Sequence, residues 1–231
     1  MRRPPARVLL KLSGEAFKGS EGAFSPDALT RIAGEIAPLS STQVAIVVGG
    51  GNVIRGARSP LLDRVQADTL GMLATVLNAL ALRSYLEAAD RRVLIQSAVQ
   101  TEFTESISPR RARMALDEGA IVIFAGGTGS PLVTTDTAAA IRAVSIGADL
   151  LAKGSNVAGV FSGDPSTDAS ATLLDAVTYD EYLEHRYRVM DQIAIEICRE
   201  HDLPVEVFDL GDPGTLAKIS AGEPVGTRIH G

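Results

Sequence analysis

The sequence holds one cysteine, no tryptophan, and aromatic residues at only 4% of its 231 positions. A single thiol, Cys198, excludes an intramolecular disulfide and a cysteine-cluster zinc site. It falls in "DQIAIEICREH", where Ile193 and Ile197 continue a four-residue step from Val189 with Ala194 and Cys198 beside them, so a small core residue is expected. Scarce aromatics argue against a stacking platform for single-stranded nucleic acid. A basic excess is also absent: the formal net charge is −6, no global field attracts polyanions, and no direct nucleic-acid binding is expected. An anionic ligand must then be held locally, by backbone amides, a few placed cations or a metal ion. The longest apolar-rich stretch, "LGMLATVLNALAL", is shorter than a helix needs to cross ~30 Å of hydrocarbon. The opening "MRRPPARVLLKLS" carries arginines but no apolar leader. A cytoplasmic protein without a membrane partner is expected. His185, His201 and His230 have neither metal-ligand nor triad spacing, and neither a nucleophile elbow nor an HExxH helix occurs.

Short β-branched runs, by contrast, are plentiful. Segments 7–13, 44–50, 92–97, 120–127, 149–154 and 205–210 are mostly apolar on both pleat faces, as parallel strands covered by helices should be. Helical patterns occupy 26–38, 65–89, 109–118, 135–147 and 189–201 between them. The alternation predicts an α/β fold, a three-layer αβα sandwich around a mainly parallel central sheet. No Pro-, Gly- or Ser-rich linker divides the chain, and no internal repeat is visible. A soft boundary near residue 148 separates lobes of about 1–148 and 149–231 within one domain. The region 159–188 reads as polar and irregular, with "GDPSTDASAT" an exposed loop.

The segment 65–89 is apolar around more of its circumference than one buried stripe requires. Two readings are open, a central core helix and a helix packed between subunits. Either leaves Asp68, Thr75, Asn78 and Arg83 in need of partners.

In open α/β sheets ligands gather at the carboxyl ends of strands. Four such ends read "KLSGEAF", "GGGNVIRG", "AGGTGSPLVTTD" and "AKGSNVAG", each with glycine beside hydroxyl or amide groups and with Lys11, Arg55 and Lys153 close by. Small residues let backbone N–H groups approach an anion, and helix starts add partial positive charge. Four such ends point to a phosphate-rich ligand. Lys11 is either an edge lysine whose stem reaches solvent or a cation aimed at a moving phosphoryl group. Asp136 can cap the helix it begins, orient a lysine, or both. Asp164, before Pro165, reads as a turn residue first and a sugar acceptor second.

The motifs "LLKLSGEAF", "VVGGGNVIRG", "DTLGMLATVLNALALR", "GGTGSPLVTTDTAA" and "GVFSGDP" occur in an order and spacing that resemble the bacterial uridylate kinases of the amino-acid-kinase fold over nearly the whole chain. That resemblance implies transfer of the ATP γ-phosphate to UMP, with the first lobe on the UMP side and the second on the ATP side. It implies ATP contacts at Lys11, Leu12, Ser13, Gly14, Gly51, Arg55, Ser155, Phe161 and Asp164, and UMP contacts at Gly50, Asp68 and the run Thr128, Gly129, Ser130, Pro131, Leu132, Val133, Thr134 and Thr135. Lys11, Asp136 and Lys153 would serve catalysis. It further implies Mg²⁺ with ATP, a homohexamer, and GTP and UTP as candidate activator and inhibitor. The match of "KGSEGAFS" to a GTP-binding region is loose. Asn156 and Ala158 depart from the family, which commonly has a lysine and a carboxylate there, so the base and ribose contacts of ATP are the least secured. Two alternatives are a small-acid kinase of the acetylglutamate type and a non-catalytic anion-storing oligomer of the same fold.

Overall fold

The computed structural model describes residues 3–20, 22–54, 62–165, 167–168 and 170–231. Its strands in chain order are β1 (Arg7–Leu12), β2 (Gln43–Val48), β3 (Val93–Ser97), β4 (Glu105–Ser106), β5 (Ile121–Ala125), β6 (Leu150–Ser155), β7 (Ala176–Thr178), β8 (Val205–Asp209) and β9 (Thr227–His230). The helices are α1 (Pro26–Ile36), α2 (Arg64–Ala88), α3 (Pro109–Asp117), α4 (Thr135–Ile146), α5 (Tyr179–Glu184), α6 (Gln192–Glu200) and α7 (Thr215–Ser220), with a 3₁₀ turn at Gly14–Phe17. One sheet runs β4-β3-β5-β2-β1-β6-β8-β9-β7, parallel throughout except for the β8–β9 pair. The sheet is continuous across residue 148, because β1 pairs with both β2 and β6.

Local chemistry sets the helix ends. Ser25, Asp63, Ser108, Thr134 and Asp191 each accept a first-turn amide at the start of α1, α2, α3, α4 and α6. Thr178 and Glu181 form a reciprocal capping box on α5. Gly147 ends α4 at φ +68, a conformation that favours glycine. Two apolar cores then close the sandwich. Val8, Leu10 and Leu12 meet α1, α2 and α7 on one face, while Leu9 meets the layer of α3, α4, α5 and α6 on the other. Cys198 is fully buried among that second layer, and burial pushes its thiol up to about 12. It is a core residue, as expected.

Three sequence expectations need correction. The region 159–188 is not irregular throughout, since β7 and α5 lie inside it. Along α6 the buried set is Ala194, Ile195 and Cys198, whereas Ile193 faces solvent at 60% exposure, so the four-residue step marked the wrong stripe. Finally, α2 extends the apolar stretch to 25 residues, enough by length and composition to cross a bilayer. Here it lies on the sheet, burying Ala74, Val76, Ala79, Leu82 and Leu86. Its other side leaves Leu70, Leu73 and Leu77 exposed, three apolar residues at helical spacing.

Candidate active site

β1 and β6 are adjacent parallel strands, and Lys11 and Lys153 are register partners near their carboxyl ends. Because β1 is the middle strand of the nine described, Lys11 cannot be an edge lysine. Both side chains point to the α4 layer, where Thr134 caps the helix and fixes Asp136 in its first turn. Lys11 Nζ lies 2.8 Å from Asp136 Oδ1 and Lys153 Nζ 2.5 Å from Oδ2. The Lys153 contact is a hydrogen bond; the Lys11 contact is an ion pair off the line of one. All three residues are at most 8% exposed. Burial alone would raise the Asp136 carboxyl, but the charges of Lys11 and Lys153 and their close approach to its two oxygens outweigh it and hold it at about 2. Burial first, then the neighbouring Lys11 charge, push the Lys153 ammonium down to about 8 against the pull of Asp136.

Two ammonium groups sharing one carboxylate leave a net positive charge in a nearly dry place. Burying even a matched ion pair is roughly neutral for stability, and an unmatched charge costs several kcal/mol. The arrangement is therefore poor as a structural device and well suited to an anion arriving from solvent.

A strap of chain at 187–191 braces this centre. The Val189 carbonyl accepts from Lys153. Next to it, the Tyr182 hydroxyl donates to Met190 O at 2.8 Å and accepts from Met190 N at 2.7 Å. Asp191 caps α6 through Ala194 N and also accepts from the hydroxyls of Thr134 and Thr137. It ties the starts of α4 and α6 together. Sequence reasoning missed Asp191. Its one local signal was an acid preceding the apolar pattern "QIAIEI", which marks a cap and not its partners 54 and 57 positions away.

On one side of the lysines lies a cleft of about 370 Å³ over α2. Gly50, Gly51, Asp68, Val133, Thr134 and Thr135 line it, together with Ser130. The glycine loop is shaped by packing as well as by any ligand. A Cβ on Gly50 would stand 2.5 Å from Gly71 O, and one on Gly14 would collide with Gly51 N. The Gly49 amide is already donated to Leu12 O at 2.8 Å, so it is engaged within the fold. The amides of Gly50 and Gly51 have no partner among the described residues. Asn52 turns inward, not toward the cleft. It exchanges hydrogen bonds of 2.8 and 2.9 Å with Asn78 of α2, and Asn78 also donates to Gly49 O at 2.6 Å. Those bonds, with Thr75 Oγ1 accepting from Gly126 N at 2.6 Å, supply the partners that Asn78 and Thr75 needed.

Asp68 has its carboxylate engaged by Arg64 Nε at 2.8 and 3.0 Å and by Leu132 N at 2.9 Å. The last bond pins a loop in which Gly127, Gly129 and Leu132 all adopt positive φ, at 57, 84 and 66°. For leucine that conformation is strained, and the Asp68 bond is one restraint that holds it. Gly129, Pro131 and Leu132 do not line this cleft, and Thr128 opens onto a neighbouring hollow beside Arg142.

On the other side a hollow of about 650 Å³ lies beyond β6, bordered by Ser155, Phe161, Asp164 and Val189. Asp164 O accepts from Thr167 N and Asp168 N at 3.0 and 2.8 Å, so the turn expected at "GDP" is present. Leu12 is buried in the core, and Ser13 caps the 3₁₀ turn through Glu15 N, so of the "KLSG" set Lys11 is the residue whose side chain reaches Asp136. Arg55 lies outside the described residues.

A doubly covered sheet with buried lysines between two clefts at its carboxyl edge defines a class of phosphate-handling kinases. The sequence pattern of the amino acid kinase family matches residues 6–209, and the chain belongs to that family. It is similar to the uridylate kinase of Xanthomonas oryzae pv. oryzae (strain KACC10331 / KXO85), at 44% identity over 97% of this chain and 96% of the relative. The chloroplastic uridylate kinase PUMPKIN of Arabidopsis thaliana is 46% identical over 99% of this chain and 70% of the relative. The solved UMP kinase from Bacillus anthracis superposes with a TM-score of 0.94 at 37% identity, covering 99% of this chain and 97% of that one.

Proposed function

We propose that this chain is a UMP kinase that passes the γ-phosphoryl group of ATP to UMP, giving UDP and ADP for pyrimidine nucleotide biosynthesis. The observation that carries the reading is the Lys11–Asp136–Lys153 cluster, net positive and buried, with one cleft beside Thr134 and Thr135 and another beside Ser155 and Val189. UMP would occupy the α2 cleft, its phosphate near the free amides of Gly50 and Gly51 and the start of α4. ATP would lie across β6, with its terminal phosphate between the lysines. These two halves correspond to the lobes about 1–148 and 149–231.

The phosphate of UMP is already a nucleophile, so no general base is needed. Positioning and charge neutralisation then carry the reaction, and the lysines offset charge on the equatorial oxygens of the moving group. Asp136 holds both ammonium groups in place and takes no proton, given its low pKa. Among the described residues no cluster of three His, Cys, Asp or Glu could hold a metal ion, and Asp136 is committed to the lysines. In this reading Mg²⁺ would arrive with the ATP phosphates, which supply its main oxygen ligands.

Self-association as a homohexamer and a cytoplasmic location are part of the same proposal. The exposed Leu70, Leu73 and Leu77 row supports contact between copies of α2. GTP and UTP remain the effectors to test by titration. The deciding experiment compares UMP, CMP and acetylglutamate as acceptors in one ADP-release assay. UMP should be used with a kcat/KM at least about 100-fold above the others, a margin of roughly 3 kcal/mol in barrier. Preference for acetylglutamate, or binding of nucleotide with no turnover, would overturn the reading.

A further inference from the structure

The hollow beyond β6 has an aromatic wall in a protein that has few aromatics. Tyr182 is fully buried beneath the strap, and the Tyr187 ring packs on it at 5.5 Å between centroids with a 58° tilt. Tyr187 is half-buried and stacks in turn with the exposed His185 imidazole, at 5.5 Å and 10°. The three rings step from core to opening, and the last two border the hollow. Glu181 O can only accept, so the 2.9 Å contact makes His185 Nδ1 the donor and holds the ring against the end of α5. Four residues beyond His185, the Val189 carbonyl accepts from Lys153. One short segment thus runs from a phosphate-binding lysine to a flat ring at the mouth. The facing β6 side offers Asn156 and Val157 there, neither of them charged.

We propose that the His185 imidazole, backed by Tyr187, is the platform on which the base of the donor nucleotide stacks. The inference rests on the donor-site reading above and gives it a specific base contact. Stacking recognises any flat heteroaromatic face, so the wall favours purines by area and not by hydrogen-bond pattern.

Calorimetric titration of the wild type and of His185→Ala, Tyr187→Leu and Tyr187→Phe with magnesium ADP and magnesium tripolyphosphate tests this. His185 is exposed, so His185→Ala should melt with the wild type. It should bind ADP about tenfold more weakly and tripolyphosphate equally well, the size expected for loss of one base–aromatic stack. Tyr187→Leu should show the same split, and Tyr187→Phe should keep wild-type ADP affinity. The proposal is overturned if His185→Ala binds ADP like the wild type, or if tripolyphosphate weakens as much as ADP in both Tyr187→Leu and His185→Ala. A wild type that binds tripolyphosphate but not ADP would overturn the donor-site reading itself, and the base platform with it.

Discussion

Lys11 and Lys153 face one another across the β1–β6 pair, and the Asp136 carboxylate bridges them with one oxygen to each. The consequence for Lys11 is unusual for a buried charge. Removing it leaves a matched Lys153–Asp136 pair and abolishes a repulsion between ammonium groups. Lys11→Met should therefore unfold at the same urea concentration as the wild type, or a higher one. Turnover should fall about 100-fold or more, the loss typical when a charge-stabilising donor is removed. Urea titration and steady-state kinetics on one preparation check both halves, and near-normal kinetics would remove Lys11 from the mechanism.

Asp136 should behave in the opposite way. In Asp136→Asn two buried ammonium groups lose the carboxylate they share, a change of about 3–5 kcal/mol in stability. In the wild type the carboxyl stands at about 2 against an ordinary 3.8. Its contribution of about 2 kcal/mol is fully present above the ordinary value and is lost as pH falls through that window toward the folded one. The variant has no such acid-dependent loss at this position. Urea unfolding of both proteins from pH 2 to pH 5 (about the range of the shift) should show the gap narrowing as acid increases. A constant gap would mean that the carboxylate charge is not what matters.

Lys153 makes activity and stability diverge with pH. Its ammonium titrates at about 8 when folded and 10.5 when free, owing first to burial and then to the charge of Lys11. Between those values the unfolded chain binds more protons, so this group raises stability as pH increases. The charge needed for phosphoryl transfer is lost over the same range. The profile of kcat/KM, which reports the free enzyme, should turn down above pH about 8 while the melting temperature does not. Lys153→Arg should shift that limb out of range, because a guanidinium stays protonated. An unchanged limb in the arginine variant would assign it to another group.

The longer elements were visible in the sequence because each carries its own pattern. The runs at β1, β2, β5 and β6 are apolar on both faces, and α1, α3 and α4 begin at residues whose side chains cap them. What escaped was short or nonlocal. β7 is three residues long, below the length at which alternation means anything, although the "TYDE" capping box of α5 was there to be read. Whether Lys11 was an edge lysine depended on which strands flank β1, and pairing across 142 positions leaves no local trace. Asn52 follows three glycines in the sequence, and its partner Asn78 lies 26 positions away on α2, a pairing with no local signal. Glycines at 49, 50 and 51 were alike in the sequence and are different in space.

That last difference can be turned into a paired measurement. A Cβ at Gly50 would meet Gly71 O at 2.5 Å and Ala74 Cβ at 3.0 Å, both on the rigid body of α2. Gly50→Ala must push the loop off the helix and strain the Asn52–Asn78 bonds, costing about 1–3 kcal/mol, as overpacking usually does. Among the described residues a Cβ at Gly51 meets only Glu15 Oε1, at the ordinary contact distance of 3.7 Å, and the residue does not have positive φ. Gly51→Ala should fold and melt like the wild type. If a nucleotide phosphate approaches the Gly51 amide, the added methyl group will still stand in its way, and KM for a nucleotide substrate should rise about tenfold, a penalty of some 1.4 kcal/mol. Differential scanning calorimetry with steady-state kinetics on the two variants separates packing from ligand approach. Wild-type KM values for both nucleotides in Gly51→Ala would mean that the loop is built for α2 alone.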